Sequence, residues 1–198
     1  MPGTTATATP SKVRFGLKKL FFAKRNADGT YETPWQNPGA EELAISNGSS
    51  STSVINADDE DFYTRNAAGS RQLDLTVARF ARDYYTKFLG QQIDTTTGGL
   101  VDSPDDVAST FAVLYETTGD QGGYRGCFFG CTSETPTMTA STNTSNGITE
   151  DAEKASLKAT PVEMSDGKKH TVISLEPGDK GYDTFFSAVP LSKAKASA

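Results

Sequence analysis

Between Ser70 and Gly90 the chain changes its periodicity, and that change narrows the folds open to it. Leu73, Leu75 and Val77 alternate with Gln72, Asp74 and Thr76, the two-residue period of a strand with one buried face. From Ala78 the period becomes helical. Phe80, Tyr84 and Phe88 recur at i, i+4 and i+8, with Ala81, Tyr85 and Leu89 beside them. Asp83 and Lys87 form an acid-before-base i,i+4 pair on the opposite side, and Gly90 stands where a left-handed residue closes a helix. The pattern predicts a strand running directly into one helix that covers a hydrophobic sheet, with Phe80, Tyr84 and Phe88 as the helix core. No other stretch is as clearly helical, and the rest of the chain reads as strands and turns.

With 198 residues and a hydrophobic fraction of 35%, the chain suits a single β-rich domain with long polar connections rather than a large α/β interior. No apolar run approaches the length of a membrane span, and the N-terminus lacks a basic-then-apolar signal pattern. Lys+Arg 19 against Asp+Glu 25 gives a net charge of −6, a poor basis for clasping DNA through its phosphates. Cys127 and Cys131 are the only cysteines. Their even spacing places both on one strand face, roughly 13 Å apart, too far for a disulfide. With His170 the only histidine, they read as free thiols in a reducing compartment rather than metal ligands.

In chain order, residues 1–11 read as a disordered arm. Val13, Phe15 and Leu17 alternate with polar residues, the alternation slips at Lys18-Lys19, and Leu20 to Ala23 continues as a buried run, which predicts a strand with a bulge. Asn26 to Gly29 is a turn, and Thr30 to Thr33 a short returning strand. Ala40 to Ser46 is a strand, with Thr52 to Ala57 expected back as its partner. Asp58-Asp59-Glu60-Asp61 lacks the alternating spacing and glycine turn of an EF-hand loop and reads as a solvated acidic edge. Phe111 to Tyr115 and Tyr124 to Thr132 form the strongest hairpin signal, turned at Gly119 to Gly123. Ser133 to Thr149 is an exposed loop. Glu153 to Glu163 is a strand, with Ala155, Leu157 and Ala159 against Lys154, Ser156 and Lys158. Ser165 to Lys168 is a hairpin turn, His170 to Leu175 the last strand, and Phe185-Phe186 an apolar pair that docks on the body before a basic tail.

No catalytic constellation is present. His170 reads as an exposed turn histidine rather than a base, Gly98-Gly99 is not a phosphate loop, and no cofactor is expected. Trp35 reads as a packing anchor, with a sugar-stacking platform as the alternative. Strands too apolar to be satisfied within one subunit suggest self-association.

The order of small motifs resembles the major tail proteins of long-tailed bacteriophages, the set from Gram-positive hosts most closely. The carriers are Val13-Arg14-Phe15-Gly16-Leu17-Lys18, Phe22-Ala23, Tyr31-Glu32-Thr33-Pro34, Pro38-Gly39-Ala40, an acidic strand pair over Leu43 to Asp61, Phe88-Leu89-Gly90 and the Phe-Ala-Val-Leu-Tyr-Glu strand. One departure is at the helix start, where Ala78-Arg79-Phe80 offers no Asp, Ser or Pro cap. The resemblance implies a mainly β fold, a sandwich or barrel with one packed α-helix. It divides the chain into an arm at 1–11, a domain at 12–189 and a tail at 190–198. It implies a non-enzymatic virion protein, assembled in the host cytoplasm, whose partner is chiefly itself in hexameric rings stacked into a tube. Tape measure, terminator and distal tail proteins are further implied partners. DNA passes without specific binding and no membrane is engaged. Asp58, Asp59, Glu60 and Asp61 become a candidate acidic lumen or edge that repels phosphates. A carbohydrate- or protein-binding β-sandwich module is the alternative function.

Overall fold

The computed structural model describes residues 13–48, 52–57, 60–66, 69–120, 122–140, 142 and 151–192. Its strands are β1 (Arg14–Lys24), β2 (Trp35–Gln36), β3 (Ala40–Asn47), β4 (Thr52–Ala57), β5 (Glu60–Asn66), β6 (Arg71–Val77), β7 (Gln92–Ile93), β8 (Leu100–Val101), β9 (Phe111–Gly119), β10 (Tyr124–Ser133), β11 (Thr137–Met138), β12 (Glu153–Ala159), β13 (Val162–Glu163), β14 (Lys169–His170) and β15 (Val172–Leu175). The main sheet runs β2-β1-β9-β10-β12-β6-β3, and β11 pairs with β12 and β15 with β10. Its two ends curl toward one another, so that β3 passes beside β1 and the sheet becomes a barrel with one open seam.

Two apolar clusters lie on opposite sides of the same central strands. The barrel interior holds Leu20 and Phe22, Phe111, Val113 and Tyr115, Phe128, Leu73, Leu75 and Val77, and Ala155, Leu157 and Ala159. The outer face of β1, β9 and β10 buries Ala23, Ala112, Leu114, Cys127 and Phe129 beneath Met164, Phe185 and Val189. That is why Leu20 to Ala23 and Phe111 to Tyr115 are continuously apolar while β6 and β12 alternate: the first two are covered on both faces, the last two on one. Phe185 and Phe186 dock as their sequence suggests, Phe186 stacking on Phe21 with centroids 4.6 Å apart.

β6 leads to the helix, but Ala78 to Ala81 is not helical. Ala81 is extended, with ψ 150°, and one α-turn (Arg82–Tyr84) passes into a π-turn (Tyr85–Leu89) closed by Gly90 at φ +82°. Phe80, Tyr84 and Phe88 are 2%, 0% and 0% exposed. Phe88 stacks on Phe111 at 4.3 Å and lies parallel to Trp35 at 6.0 Å, while Phe22 meets Tyr84 edge-on at 5.2 Å. The side of the helix carrying the ion pair of Asp83 with Lys87, 3.0 Å, faces solvent. The helix plugs one end of the barrel with aromatic rings, and Trp35 is part of that plug.

Other expectations need correcting. Thr30 to Thr33 forms no strand, only a bridge of Tyr31 to Arg25, and the expected loop from Ser133 contains β11, paired with β12. β3 pairs with β6 rather than with β4, because Leu43 and Ile45 stand opposite Leu75 and Leu73 on the inward face; β4 closes on β5 instead. Cys127 and Cys131 do not share a face. A bulge at Gly130, with φ +57°, shifts the register between Phe128 and Cys131, so that Cys127 enters the outer cluster and Cys131 the interior. Both thiols are free and buried. The strand expected over Glu153 to Glu163 ends at Ala159 and resumes as β13 beyond Thr160-Pro161, proline being unable to donate to a ladder. The last strand divides at Thr171, β14 pairing with β13 and β15 with β10.

Candidate assembly surfaces

The seam is created by β1. Its register against β9 shifts between Arg14 and Leu17 and again between Leu17 and Lys19, and bulges of this kind bend a strand and tighten its twist. The bend brings the first half of β1 toward β3, yet no ladder joins them: on that side β1 pairs only with β2, at Phe21 and Phe22. Two strand edges therefore face each other across a groove lined by Phe15, Leu17, Leu43, Ile45, Tyr115 and Tyr124. Phe15 is 56% exposed and Ile45 45%, and Val13 is also exposed. Apolar side chains beside unpaired edges are the features that a lone β-protein ordinarily avoids.

The second bulge also turns Lys18 and Lys19 together onto Glu116. This carboxylate is 3% exposed and accepts from Arg125 Nε at 2.8 Å, with Lys19 Nζ at 3.4 Å and Lys18 Nζ at 3.6 Å. Burial pushes its pKa up, but the hydrogen bond and charge of Arg125 and the charge of Lys19 outweigh that and hold it below the usual carboxylate value. Arg125 lies flat on Tyr182, its guanidinium carbon 3.8 Å from the ring centroid, and donates to the Tyr182 carbonyl. The Tyr182 hydroxyl donates to Gly123 O at 2.6 Å. The chain beyond β15 is thereby pinned over the outer face of β9 and β10, and that half of the barrel is closed within the subunit.

Among the described residues, nothing covers the other half. The outward residues of β12, β6 and β3 fall in cross-strand rows: Lys154, Thr76 and Glu42; Ser156, Asp74 and Ala44; Lys158, Gln72 and Ser46. Ser156 Oγ donates to Asp74 Oδ1 at 2.7 Å. The β4–β5 hairpin forms a two-stranded sheet of its own and makes no extensive contact with another element among the described residues. Of the acidic run, Glu60 and Asp61 begin β5 opposite Ala57 and Asn56; Asp58 and Asp59 lie outside the described residues, as do the arm at 1–11 and the tail from 193.

No acid, cysteine or histidine cluster suited to a metal exists among the described residues. His170 Nε2 lies 2.8 Å from Asp166 Oδ2 across the β13–β14 turn, a local pair. The sequence contains the signals for the sheet face and the bulge but not for the Glu116 network, in which Glu116 lies 9 to 98 residues from its partners.

The model of the phage tail tube protein family matches residues 12–188. The chain belongs to that family. As a tail tube protein it is a structural component of the virion tail and not an enzyme, with a mainly β fold of tail-tube type carrying one short helix. Among solved structures, the cryo-EM sheath–tube complex of an extracellular contractile injection system (PVC) in the extended state is 8% identical, with TM-score 0.41, covering 80% of this chain and 88% of that one. The sixfold-symmetrised baseplate of the anti-feeding prophage (AFP) is 10% identical, with TM-score 0.41, covering 84% and 96%. No curated protein matches the sequence. No helix among the described residues is long and apolar enough to cross a membrane.

Proposed function

We propose that this tail tube protein is the major tube subunit of a long-tailed phage of a Gram-positive host, forming hexameric rings that stack into the channel for DNA ejection. Family membership carries the reading, and the open seam supports it. Phe15 and Ile45, beside unpaired edges of β1 and β3, form the surface on which the next subunit of the ring closes. The β4–β5 hairpin and the arm at 1–11 reach the neighbouring ring. Tape measure, terminator and distal tail proteins bind the exposed ring faces at the tube ends. Subunits assemble in the host cytoplasm. The acids Asp58, Asp59, Glu60 and Asp61, with the net charge of −6, keep the chain from holding DNA tightly.

Negative-stain microscopy of concentrated protein is expected to show rings and tubes, and sixfold class averages would set the stoichiometry. The double variant Phe15→Lys, Ile45→Lys should remain folded, because both side chains are already half in solvent, and should stay monomeric by light scattering. A wild-type chain that remains monomeric at every concentration and ionic strength, or a double variant that polymerises normally, overturns this account of the seam.

A further inference from the structure

The β3–β6 strand pair ends in two unlike features. At one end Ala40 stands opposite Val77, and the chain just outside both strands forms a cleft of about 410 Å³, within the size range of ligand clefts. Pro38, Gly39, Ala78, Arg79, Ala81 and Arg82 are on its wall, and no acid lines it. Arg79 and Arg82 are exposed, and neither forms an ion pair among the described residues. Arg82 donates one N–H to Gly98 O at 2.9 Å. Two acids close by are already engaged: Asp83 pairs with Lys87, and Glu153 accepts from Phe80 N–H and the Tyr85 hydroxyl. At the other end Asn47 stands opposite Arg71, and the chain between them carries β4 and β5. Ala57 pairs with Glu60, so the connection is Asp58-Asp59, and with Glu60 and Asp61 it makes four acids in succession. The hairpin makes no extensive contact with another element of its own subunit among the described residues.

We infer that the cleft of Arg79 and Arg82 receives the acidic β4–β5 turn of a second copy of this chain. The inference rests on the tube reading and supplies its ring-to-ring contact. Charge selects the occupant: two cations without an ionic partner at one end of the strand pair, four successive acids at the other. Guanidinium groups suit carboxylates because their forked N–H groups match the two oxygens. The β3 strand between the two ends spans Ala40–Asn47, ~23 Å at the usual rise per residue. Each copy therefore offers a cleft at one end and a turn at the other. Such a contact is heterologous and propagates head to tail instead of closing as a twofold pair. The seam joins copies across their strands, and this contact joins them along the strands.

The test uses two full-length charge-reversal variants, Arg79→Glu, Arg82→Glu in the cleft and Asp58→Lys, Asp59→Lys in the turn. Each alone sets like charges across the contact. The protein concentration needed for growth by light scattering should rise at least about tenfold at low salt, the order that two exposed ion pairs supply. Mixing the two variants restores opposite charges at every contact in an alternating order and should bring growth back to the wild-type concentration. The milder Arg79→Gln, which leaves the Arg82 bond to Gly98 in place, should shift growth less in the same direction. A control, Lys168→Glu, Lys169→Glu in the β13–β14 turn, should behave as wild type, and thermal melts of all variants should match it. Wild-type growth of either reversal variant alone, a mixture that stays dispersed, or equal loss in the control each overturns the inference. Microscopy of the same preparations separates it from the tube reading. Rings whose stacking ignores these charges remove this inference alone. Charge-dependent chains without rings remove the tube reading and leave the contact standing, and no association in the wild type or the mixture removes both.

Discussion

Asn37 is the residue whose removal tests most directly how the helix is held. The helix begins without a side-chain cap of its own, and the backbone N–H groups leading into it are satisfied from elsewhere. Asn37, 1% exposed, accepts from Ala81 N–H through Oδ1 at 2.9 Å and donates through Nδ2 to Arg79 O at 3.1 Å and Pro38 O at 3.0 Å. Glu153 Oε2 accepts from Phe80 N–H at 2.7 Å and from the Tyr85 hydroxyl at 3.1 Å. Replacing Asn37 with Ala removes its hydrogen bonds, about 1 kcal/mol, and strands partly buried partners at about 1–3 kcal/mol for each group that water cannot reach. With one such group stranded, the expected loss is about 3 kcal/mol, or roughly 6–12 °C in Tm for a domain of this size. Asn37→Asp keeps the acceptor for Ala81 but loses both donors and sets a buried carboxylate against the Arg79 and Pro38 carbonyl oxygens, so it should be destabilised at least as much as Ala. Urea unfolding at concentrations where the protein is monomeric separates the three. An Ala variant within about 0.5 kcal/mol of wild type would refute the external cap and leave Glu153 alone to hold the helix start.

Three further outcomes follow from particular contacts. Phe88→Asp should abolish cooperative unfolding, because the new carboxylate would sit unpaired in a ring cluster where Phe88 is fully buried; a soluble, folded but non-assembling variant, by circular dichroism and size-exclusion chromatography, contradicts the placement of the helix. Gly130→Ala should destabilise by about 1–2 kcal/mol from its positive φ alone, and by more because its Cβ would come 2.5 Å from Thr160 O; an unchanged urea midpoint shows that the bulge can relax. Glu116 has a depressed folded-state pKa, so its contribution is present above the ordinary carboxylate value and is lost as pH falls through the folded one. The wild type's stability advantage over Glu116→Gln should therefore shrink on acidification below about pH 4.5, and a difference that stays constant from pH 6 to pH 3 refutes the linkage.

Much of this fold is legible locally. The slip in alternation at Lys18-Lys19 marks the bulge of β1, the Phe111–Tyr115 and Tyr124–Thr132 runs mark a hairpin, and the period change after Val77 marks the approach to a helix. The helix start is not legible locally because the contact that holds it is non-local: Asn37, between Gln36 and Pro38, reads as a turn residue, and nothing near Ala81 points to it. The partner of β3 is not legible from sequence proximity, which favours β4, because the choice turns on matching Leu43 and Ile45 to Leu75 and Leu73 across an intervening hairpin. Gly130 did carry a signal, since an isolated glycine in an apolar strand suggests a bulge, and counting it restores the parity that separates the two cysteines. The seam had no local sign, because barrel closure depends on the summed twist of six strands.

The division between the covered and bare halves of the barrel explains why one small subunit can be both stable and adhesive. β1, β9 and β10 bury both faces, and the Glu116–Arg125–Tyr182 chain locks their outer cover in place, so the subunit's own stability is concentrated there. β12, β6 and β3 bury one face only. Their outward rows can therefore change without disturbing the core, and the free edge of β3 can pair without unfolding anything. β1 belongs to both halves: past its bulges it is doubly buried against β9, and before them it leaves the sheet to flank the seam. The bulges thus do two jobs with the same two extra residues, steering Lys18 and Lys19 onto Glu116 and holding an apolar edge open. Removing one, by deleting Lys18, should cost stability through Glu116 and alter assembly through Phe15 together, whereas Glu116→Gln should affect only the first. That difference separates a bulge that merely accommodates the fold from one that shapes the assembly surface.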